Sequence, residues 1–202
     1  MNANAQVENF DSAAPGSVPA GWSTGVTGSG SPRWAVSGDS TAPSPPNVFL
    51  QDGKGTFPWA VKKDAVLSDG YVEVKFKAIS GREDQAGGVV WRWKDGDNYY
   101  VARGNALENN VSLYYTANGR RNTIKYVNAP VPLNTWHTLR VDFSGSRIRV
   151  SLNGKTYIEL EDTHIPGAGA VGIWTKADSV TAFDDFSYGA ASEVTLSWRI
   201  KP

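Results

Sequence analysis

Alternation of apolar and polar side chains with a period of two is the feature that most constrains the fold of this chain. In residues 71–79, Val72, Val74 and Phe76 share one face of an extended strand, and Glu73 shares the other with its polar neighbours. The same pattern predicts further strands at residues 89–94, 111–116, 139–143, 148–152, 171–176, 183–188 and 193–200. Because no stretch of the chain places apolar residues at helical spacing, the sequence indicates an all-β protein.

Short turns separate the predicted strands. Ser144-Gly145-Ser146 supplies a hairpin loop, and Asn153-Gly154 supplies a two-residue turn. Strands that recur about every ten residues with turns between them are typical of an antiparallel two-sheet β-sandwich, which is the predicted fold class. The first sixty residues are rich in Gly and Pro, so we expect loops there, with short strands near 34–36 and 48–50.

Charge and residue counts exclude several kinds of site. The chain has 20 Lys and Arg against 20 Asp and Glu, and this balance argues against nucleic acid or a membrane surface as a partner. The absence of Cys excludes disulfides, thiolate zinc sites and cysteine nucleophiles. Two His residues are too few for a histidine-rich metal centre. No phosphate-binding glycine loop and no Gly-x-Ser-x-Gly nucleophile motif is present.

The N-terminus suggests export. Ala3-Asn4-Ala5 has the small-x-small form of a signal-peptidase site, although no apolar leader precedes it. We therefore predict a secreted or periplasmic protein in which residues 1–8 are the remnant of a removed leader. Residues 9–202 are predicted to form one domain, since no linker and no internal repeat interrupts them.

Several strings resemble a bacterial family of jelly rolls. They are GVVWRWKDGDNYY (88–100), RGNALENNV (103–111), WHTLRV (136–141), VSLNG (150–154), GIWTKADSV (172–180) and FDDF (183–186). The resemblance covers residues 70–189 and extends to the opening strings at 9–12 and 19–22. It implies the concanavalin A-like lectin/glucanase superfamily, with kinship to laminin G-like domains and to domains of the 3-keto-disaccharide hydrolase or family 16-like glycoside hydrolase type.

The resemblance implies a carbohydrate ligand on a concave sheet, because related jelly rolls bind sugars there. Dense polar residues between the middle strands suit hydrogen bonds to sugar hydroxyls, and outward-facing aromatic rings suit stacking. Trp174 and Tyr114 are the expected stacking platforms. The predicted carbohydrate-binding residues are Arg92, Tyr100, Arg103, Asn105, Glu108, Asn109, Tyr114, Trp174, Lys176 and Asp178. The alternative is a structural role, in which Arg103 and the Asn side chains satisfy loop backbone and Trp174 is half-buried.

Two other functions remain open at this point. The protein could hydrolyse a glycoside with Glu108 or Asp178 as acid or base, or it could be a laminin G-like module that binds another protein. The Glu159–Glu161 pair lacks the central Asp of family 16 enzymes, so we expect it to be a solvated edge. His137 and His164 are expected to be structural.

A structural Ca²⁺ is the one cofactor that the resemblance implies. In the superfamily such an ion often ties the N-terminal segment to the last strand. Asp185 is the residue that matches, and Asp11 could approach it from the N-terminal segment. Calcium prefers carboxylate and carbonyl oxygens, which these residues and their loops could supply. The alternative is that Asp185 accepts hydrogen bonds from backbone N–H groups.

Overall fold

A computed structural model describes residues 6–191 as two antiparallel sheets without any helix among those residues. The strands are β1 (Gln6–Glu8), β2 (Ser23–Ser31), β3 (Trp34–Gly38), β4 (Asn47–Gln51), β5 (Lys54–Leu67), β6 (Gly70–Ser80), β7 (Ala86–Asp95), β8 (Asn98–Asn105), β9 (Asn110–Ala117), β10 (Arg120–Asn128), β11 (His137–Ser144), β12 (Arg147–Leu152), β13 (Lys155–Glu161), β14 (Gly169–Trp174) and β15 (Val180–Ala190). Within the described range, no helix is long and apolar enough to span a membrane.

The spatial order of the strands confirms the predicted β-sandwich. The eight-stranded sheet runs β13-β12-β11-β6-β15-β4-β3, with β1 added along β15. The seven-stranded sheet runs β10-β9-β8-β7-β14-β5-β2. Side chains that the alternation places on one face, such as Val72, Val74 and Phe76, are fully buried between the two sheets. The main core is therefore the layer that the period of two predicts.

Two hairpin turns have the geometry that their sequences require. Asn153 and Gly154 have φ of 51° and 82°, and Asn118 and Gly119 have φ of 51° and 78°. Positive φ at both central residues is the mark of a type I′ turn, which fits the twist of antiparallel strands. The first turn joins β12 to β13, as predicted, and the second joins β9 to β10.

The N-terminal third contains more strand than its Gly and Pro content predicts. β2 and the long β5 pair with each other along the seven-stranded sheet, where loops were expected. Residues 6–8, expected to be a tail, form β1 and pair with β15. Glu8 accepts hydrogen bonds from the indole of Trp22 and the ammonium of Lys62, which fixes this strand. The strand predicted at 193–200 lies outside the described residues.

A bulge at Arg92 reverses part of the predicted alternation in β7. Arg92 has φ of 46°, and the pairing of β7 with β8 shifts between Trp91 and Asp95. Val89 and Trp91 remain in the main core, but Trp93 moves to the opposite face of the sheet. One extra residue in a strand inverts every later side chain, which is why the simple alternation is wrong here.

The seven-stranded sheet curls toward its outer face. The hydroxyl groups of Thr27 on β2 and Tyr99 on β8 lie 2.7 Å apart, although three strands separate them in the sheet. In a flat sheet, neighbouring strands lie about 4.8 Å apart, so these two strands would be separated by roughly 19 Å. The outer face of this sheet is therefore concave, as the resemblance implies.

Phe76 fills the space between the sheets by packing over two glycines. A Cβ atom at Gly87 would lie 2.3 Å from the Phe76 ring, and one at Gly104 would lie 2.7 Å from it. Since Phe76 is fully buried, its ring has no free space into which it could move. The two glycines on β7 and β8 thus set the distance between the sheets at this point.

We expect Gly87→Ala to lower the free energy of unfolding by about 1–3 kcal/mol, because the added methyl group overpacks the core against Phe76. Urea unfolding followed by tryptophan fluorescence measures the change. Gly38→Ala is the matched control, since its Cβ would meet nothing closer than a carbonyl oxygen at 4.0 Å. Equal stability of the two variants would contradict this account of the packing.

Candidate functional site

The concave face has its own layer of buried side chains, separate from the core between the sheets. Its apolar members all come from the seven-stranded sheet and are Trp59, Val61, Ala86, Val90, Trp93, Tyr99, Val101, Tyr114, Ala170 and Trp174. Charged and aromatic groups lie beside this layer. We call Phe57, Asp84, Arg103, Glu108, Tyr114, Arg121, Trp174 and Lys176 the concave-face cluster.

A buried ion pair lies at the base of the concave-face cluster. Arg103 donates through Nη1 to Asp84 Oδ2 at 2.7 Å, and the side chains of both residues are at least 97% buried. The other oxygen of Asp84 accepts from the Asn105 amide at 2.6 Å and from the backbone of Gln85. Because removing either charge would leave its partner uncompensated in a dry environment, the pair fixes the position of the Arg103 guanidinium.

Asp178 holds in place the loop before β7, which contains Asp84. The Asp178 carboxylate accepts three backbone hydrogen bonds, from the N–H groups of Arg82, Glu83 and Asp84, at 2.8–3.2 Å. Although burial acts in the opposite direction, these bonds lower the pKa of Asp178. Asp178 is therefore a positioning residue, and not the acid or base that the hydrolase alternative requires.

Arg121 and Phe57 cover the centre of the concave face. The Arg121 guanidinium lies 4.2 Å from the centroid of the Tyr114 ring and 5.0 Å from that of Phe57. Phe57 in turn stacks on Trp174 with ring centroids 5.5 Å apart. Burial lowers the pKa of Arg121 and the nearby charge of Arg103 adds to this effect, although Tyr114 and, more weakly, Asp84 and Glu108 oppose the shift.

The two expected stacking platforms are therefore not accessible. Trp174 is fully buried and Tyr114 is 3% exposed, because Phe57 and Arg121 lie over them. The exposed ring on this face is Tyr126, which is 63% exposed. Tyr126 pairs with Ser112 and Ser112 pairs with Arg103, so all three side chains share one face of the sheet.

Two of the predicted binding residues lie elsewhere. Arg92 is buried at the other end of the sandwich, where it donates to the carbonyl groups of Ser68 and Gly145. Tyr100 points into the main core, and its hydroxyl donates to Asp162 at 2.6 Å. Burial raises the pKa of Tyr100 well above its usual value. Both side chains are structural, because the bulge at Arg92 and the parity of β8 turn them away from the concave face.

Asn109 and the histidines also have structural contacts. The Asn109 side chain accepts the backbone N–H of Val131 at 3.2 Å, as in the structural alternative for the Asn residues. His137 is buried and bridges the carbonyl of Pro132 and the amide of Asn153. His164 lies beside the Asp162 carboxylate and stacks on Tyr115. These contacts agree with the expectation that the histidines are structural.

The remaining predicted residues do come together. Arg103, Asn105, Glu108 and Lys176 meet around Asp84, with Glu108 at 3.4 Å from Arg103 and Lys176 at 3.8 Å from Asp84. A cleft of about 390 Å³ begins at Lys176. It is lined by Ser29, Gly30, Lys54, Gly55, Thr56, Glu83, Lys176, Ala177 and Asp178.

Three residues of the cluster are absent from the sequence prediction. Asp84 lies in a loop between strands, and Phe57 lies in β5, which was not predicted as a strand. Arg121 follows Asn118-Gly119, and this dipeptide after the strand at 111–116 was a usable signal for a hairpin. No comparable signal marks Asp84 or Phe57, since their position depends on contacts between distant parts of the chain.

The predicted calcium ligands are close to each other but are bonded to protein donors. Asp11 accepts the backbone N–H of Asn47, and Asp185 accepts the Ser44 hydroxyl at 2.6 Å and lies 3.2 Å from the Lys75 ammonium. Across residues 6–191, no group of three or more His, Asp or Glu side chains is arranged to hold a metal ion. These residues do not form a calcium shell as they stand, and calcium binding stays a prediction.

Asp184 lies between these two carboxylates and is fully buried. Burial, together with the charges of Asp185 and Asp11, raises the pKa of Asp184 to about 6, although backbone N–H groups of Ser44 and Asp185 oppose the shift. An unfolded Asp has a pKa near 3.9, so the folded protein holds this proton more tightly than the unfolded chain does. The stabilising contribution is complete below about pH 4 and is lost as the pH rises through about 6.

We therefore expect the free energy of unfolding to fall as the pH rises from 4 to 7, because Asp184 loses its proton over this range. The fall is up to about 3 kcal/mol for a shift of two pKa units. Urea titrations in EDTA at pH 4.5, 5.5, 6.5 and 7.5 measure the slope, which is how steeply the free energy of unfolding changes with pH. Asp184→Asn should flatten it, whereas Asp64→Asn, which alters an exposed carboxylate on β5, should not. An unchanged slope in Asp184→Asn would show that another group is responsible.

Calcium has a separate signature in the same experiment. If the ion binds here, adding it at pH 7.5 should raise the melting temperature relative to EDTA, because it would neutralise the three carboxylates. Asp11→Asn should abolish that rise. A melting temperature that is the same with calcium and with EDTA would contradict the prediction.

Three of the solved structures that this chain resembles illustrate its fold. A carbohydrate-binding module, CBM66, from Bacillus subtilis superposes with a TM-score of 0.68 at 21% identity, over 84% of this chain and 95% of that one. A β-glucanase from Bacillus licheniformis gives 0.60 at 16% identity, over 94% and 99%. The exoplasmic/lumenal domain of VIP36, solved with Ca²⁺ and mannose, gives 0.57 at 14% identity, over 93% and 89%. At these identities the likeness shows the fold alone.

The sequence comparisons add the family. No curated protein matches the chain. A model of the 3-keto-alpha-glucoside-1,2-lyase-like domain matches residues 9–187, which is most of the chain. This match confirms the resemblance to domains of the 3-keto-disaccharide hydrolase type, and the neighbours agree with the predicted jelly-roll fold. The protein is a member of the 3-keto-alpha-glucoside-1,2-lyase-like domain family.

Proposed function

We propose that the protein binds a saccharide on the concave face of the seven-stranded sheet, at the concave-face cluster. The observation that best supports this is Arg121, whose guanidinium lies against two rings while its buried Nη1 atom has no hydrogen-bond partner. Buried donors in native proteins are nearly always paired, so this atom marks a guanidinium whose hydrogen bonds are incomplete. Because the side chain as a whole is only partly buried, its other N–H groups can meet a ligand oxygen. A planar guanidinium can donate to two neighbouring sugar hydroxyls at once.

Aromatic contact is proposed through Tyr126 and the edge of Phe57, in place of the buried Trp174 and Tyr114. Tyr126 is exposed in the row of Ser112 and Arg103, and Phe57 is half-buried. A flat ring that stays exposed on a concave surface offers an apolar face to a sugar ring at little entropic cost. The CBM66 module and the mannose-bound VIP36 domain show that saccharide-related proteins share this fold.

Export remains part of the proposal on the ground of Ala3-Asn4-Ala5 alone.

The laminin G-like alternative predicts that no saccharide binds, because the concave face would then bind a protein partner instead.

We expect at least one glycan in an array to bind, and Arg121→Ala to weaken that binding tenfold or more, since it removes a charged donor worth about 1.5–3 kcal/mol. Tyr126→Ala should weaken it by a similar factor through the lost ring contact. Isothermal titration calorimetry measures both. Arg120→Ala is the control, because this neighbouring exposed Arg precedes Arg121 on the same strand. Binding that survives both cluster variants would place the site elsewhere.

A second function is favoured by the family match, namely elimination from a 3-keto-glycoside. A 1,2-lyase removes the proton at C2 and expels the C1 substituent, which leaves a C1=C2 double bond conjugated with the C3 carbonyl. The reaction needs a base near C2 and a cation near the carbonyl oxygen. Glu108 has a 53% exposed side chain beside Arg103, and it is the carboxylate of the cluster that is free to act as that base.

If elimination occurs, incubation with a 3-keto-α-glucoside should give an ultraviolet-absorbing product. Glu108→Gln should slow its formation by 10²-fold or more, as expected for loss of a general base. Glu159→Gln, which changes a carboxylate on the other sheet, should leave the rate unchanged. Full activity of Glu108→Gln would exclude this residue as the base, and no product with any 3-keto-glycoside would leave binding as the function.

A further inference from the structure

We propose that the saccharide bound at the concave-face cluster carries a carboxylate, as in a uronate-containing oligosaccharide, and that Arg121 binds this group. The inference rests on the proposed function and names the class of ligand. It follows from the charge of the cluster and from the contacts that Arg121 makes and lacks.

The charges of the concave-face cluster do not balance. Arg103, Arg121 and Lys176 supply three cations, whereas Asp84 and Glu108 supply two carboxylates. Asp84 is already bonded through both oxygens, to Arg103, Asn105 and the Gln85 backbone. Glu108 is shared between Arg103 and the Asn110 amide. One positive charge is therefore left without a carboxylate.

Arg121 is the cation that remains unpaired. Arg103 and Lys176 each have an ion pair with Asp84, at 2.7 and 3.8 Å, whereas the contacts of Arg121 are the rings of Tyr114 and Phe57. The Nη1 atom of Arg121 and the Nε atom of Arg103 are both buried without a hydrogen-bond partner. Leaving a guanidinium partly desolvated and unpaired is costly, and an incoming anion would repay that cost.

The form of the group favours a carboxylate over a hydroxyl. Two parallel N–H groups of a guanidinium match the two oxygens of a carboxylate, and such bidentate bonds are stronger than neutral ones. Contact with the rings of Tyr114 and Phe57 restrains the guanidinium, so less entropy is lost when the pair forms. Arg121 is thus oriented before the ligand arrives.

The neighbouring cleft accounts for the rest of the ligand. Lys176 is already paired with Asp84, so the other charges of the lining are Lys54 against Glu83 and Asp178, and the cleft offers an anion no excess positive charge. Neutral sugar units therefore suit the cleft, and the acidic unit belongs at Arg121 and the exposed ring of Tyr126. This division predicts an oligosaccharide in which the carboxylate is local to one unit.

The test compares acids with their uncharged counterparts. Trisaccharides of galacturonate, glucuronate, mannuronate and guluronate are titrated against the protein by calorimetry, each beside its methyl ester, at 20 and 200 mM NaCl. We expect at least one acid to bind tenfold or more tightly than its ester, with an affinity that falls as salt rises. Esters that bind as tightly as the acids, or neutral saccharides that bind when no acid does, would overturn the inference and leave the proposed function intact. If no saccharide of either kind binds, both are overturned.

Variants locate the carboxylate. Arg121→Gln keeps an amide that can bond a hydroxyl but removes the charge, so the ratio of acid to ester affinity should fall toward one while the ester still binds. Arg120→Gln is the matched control and should keep the full ratio. Arg121→Lys retains the charge but lacks the two parallel N–H groups of the guanidinium, so it should keep part of the ratio. This variant replaces Arg121→Gln in the test if Arg121→Gln fails to fold. An undiminished ratio in a folded Arg121→Gln protein would overturn the placement at Arg121.

Discussion

The buried ion pair between Asp84 and Arg103 is the interaction on which the concave face depends. It joins the loop that precedes β7 to the C-terminal end of β8, so it closes the open end of the β7–β8 hairpin. Asn105 and the Gln85 backbone complete the bonds of Asp84, and Asp178 orders the loop from the other side. A buried pair of this kind contributes little net stability, but it admits one geometry only. The Arg103 guanidinium is therefore rigid before any ligand binds.

Curvature of the seven-stranded sheet brings side chains from distant strands together next to this ion pair. Because the sheet curls, Arg121 on one edge strand and Phe57 near the opposite edge meet over Trp174 and Tyr114. The aromatic layer below them is a second core, which explains why a chain with so many aromatic residues exposes few of them. What faces solvent is a thin layer of charged and amphipathic groups supported by a rigid floor.

Features of the fold and the site that depend on neighbouring residues were predictable from the sequence, and features that depend on contacts between distant residues were not. The period of two in β6 and the Asn153-Gly154 turn are local signals, and both were confirmed. The predicted direction of the Trp93 side chain was wrong, because the bulge at Arg92 depends on tertiary contacts with the carbonyl groups of distant loops. Residue type and resemblance placed Arg103, Glu108 and Lys176 in one site, and these side chains do lie together. The predicted exposure of Trp174 was wrong, since sequence cannot show that Phe57 from a strand early in the chain covers it.

Arg121 and Tyr126, which face the solvent side of the cluster, both lie on β10, and β10 is an edge strand joined to the sheet by one Asn-Gly turn. The aromatic floor and Arg103 of the buried pair belong to inner strands, and Asp84 lies in the loop before one of those strands. The proposed ligand contacts and the packing that stabilises the domain therefore lie in different parts of the chain. A lineage of such proteins can therefore alter the proposed ligand contacts by substituting exposed positions of β10 such as Tyr126, whose side chain is not part of the buried aromatic layer.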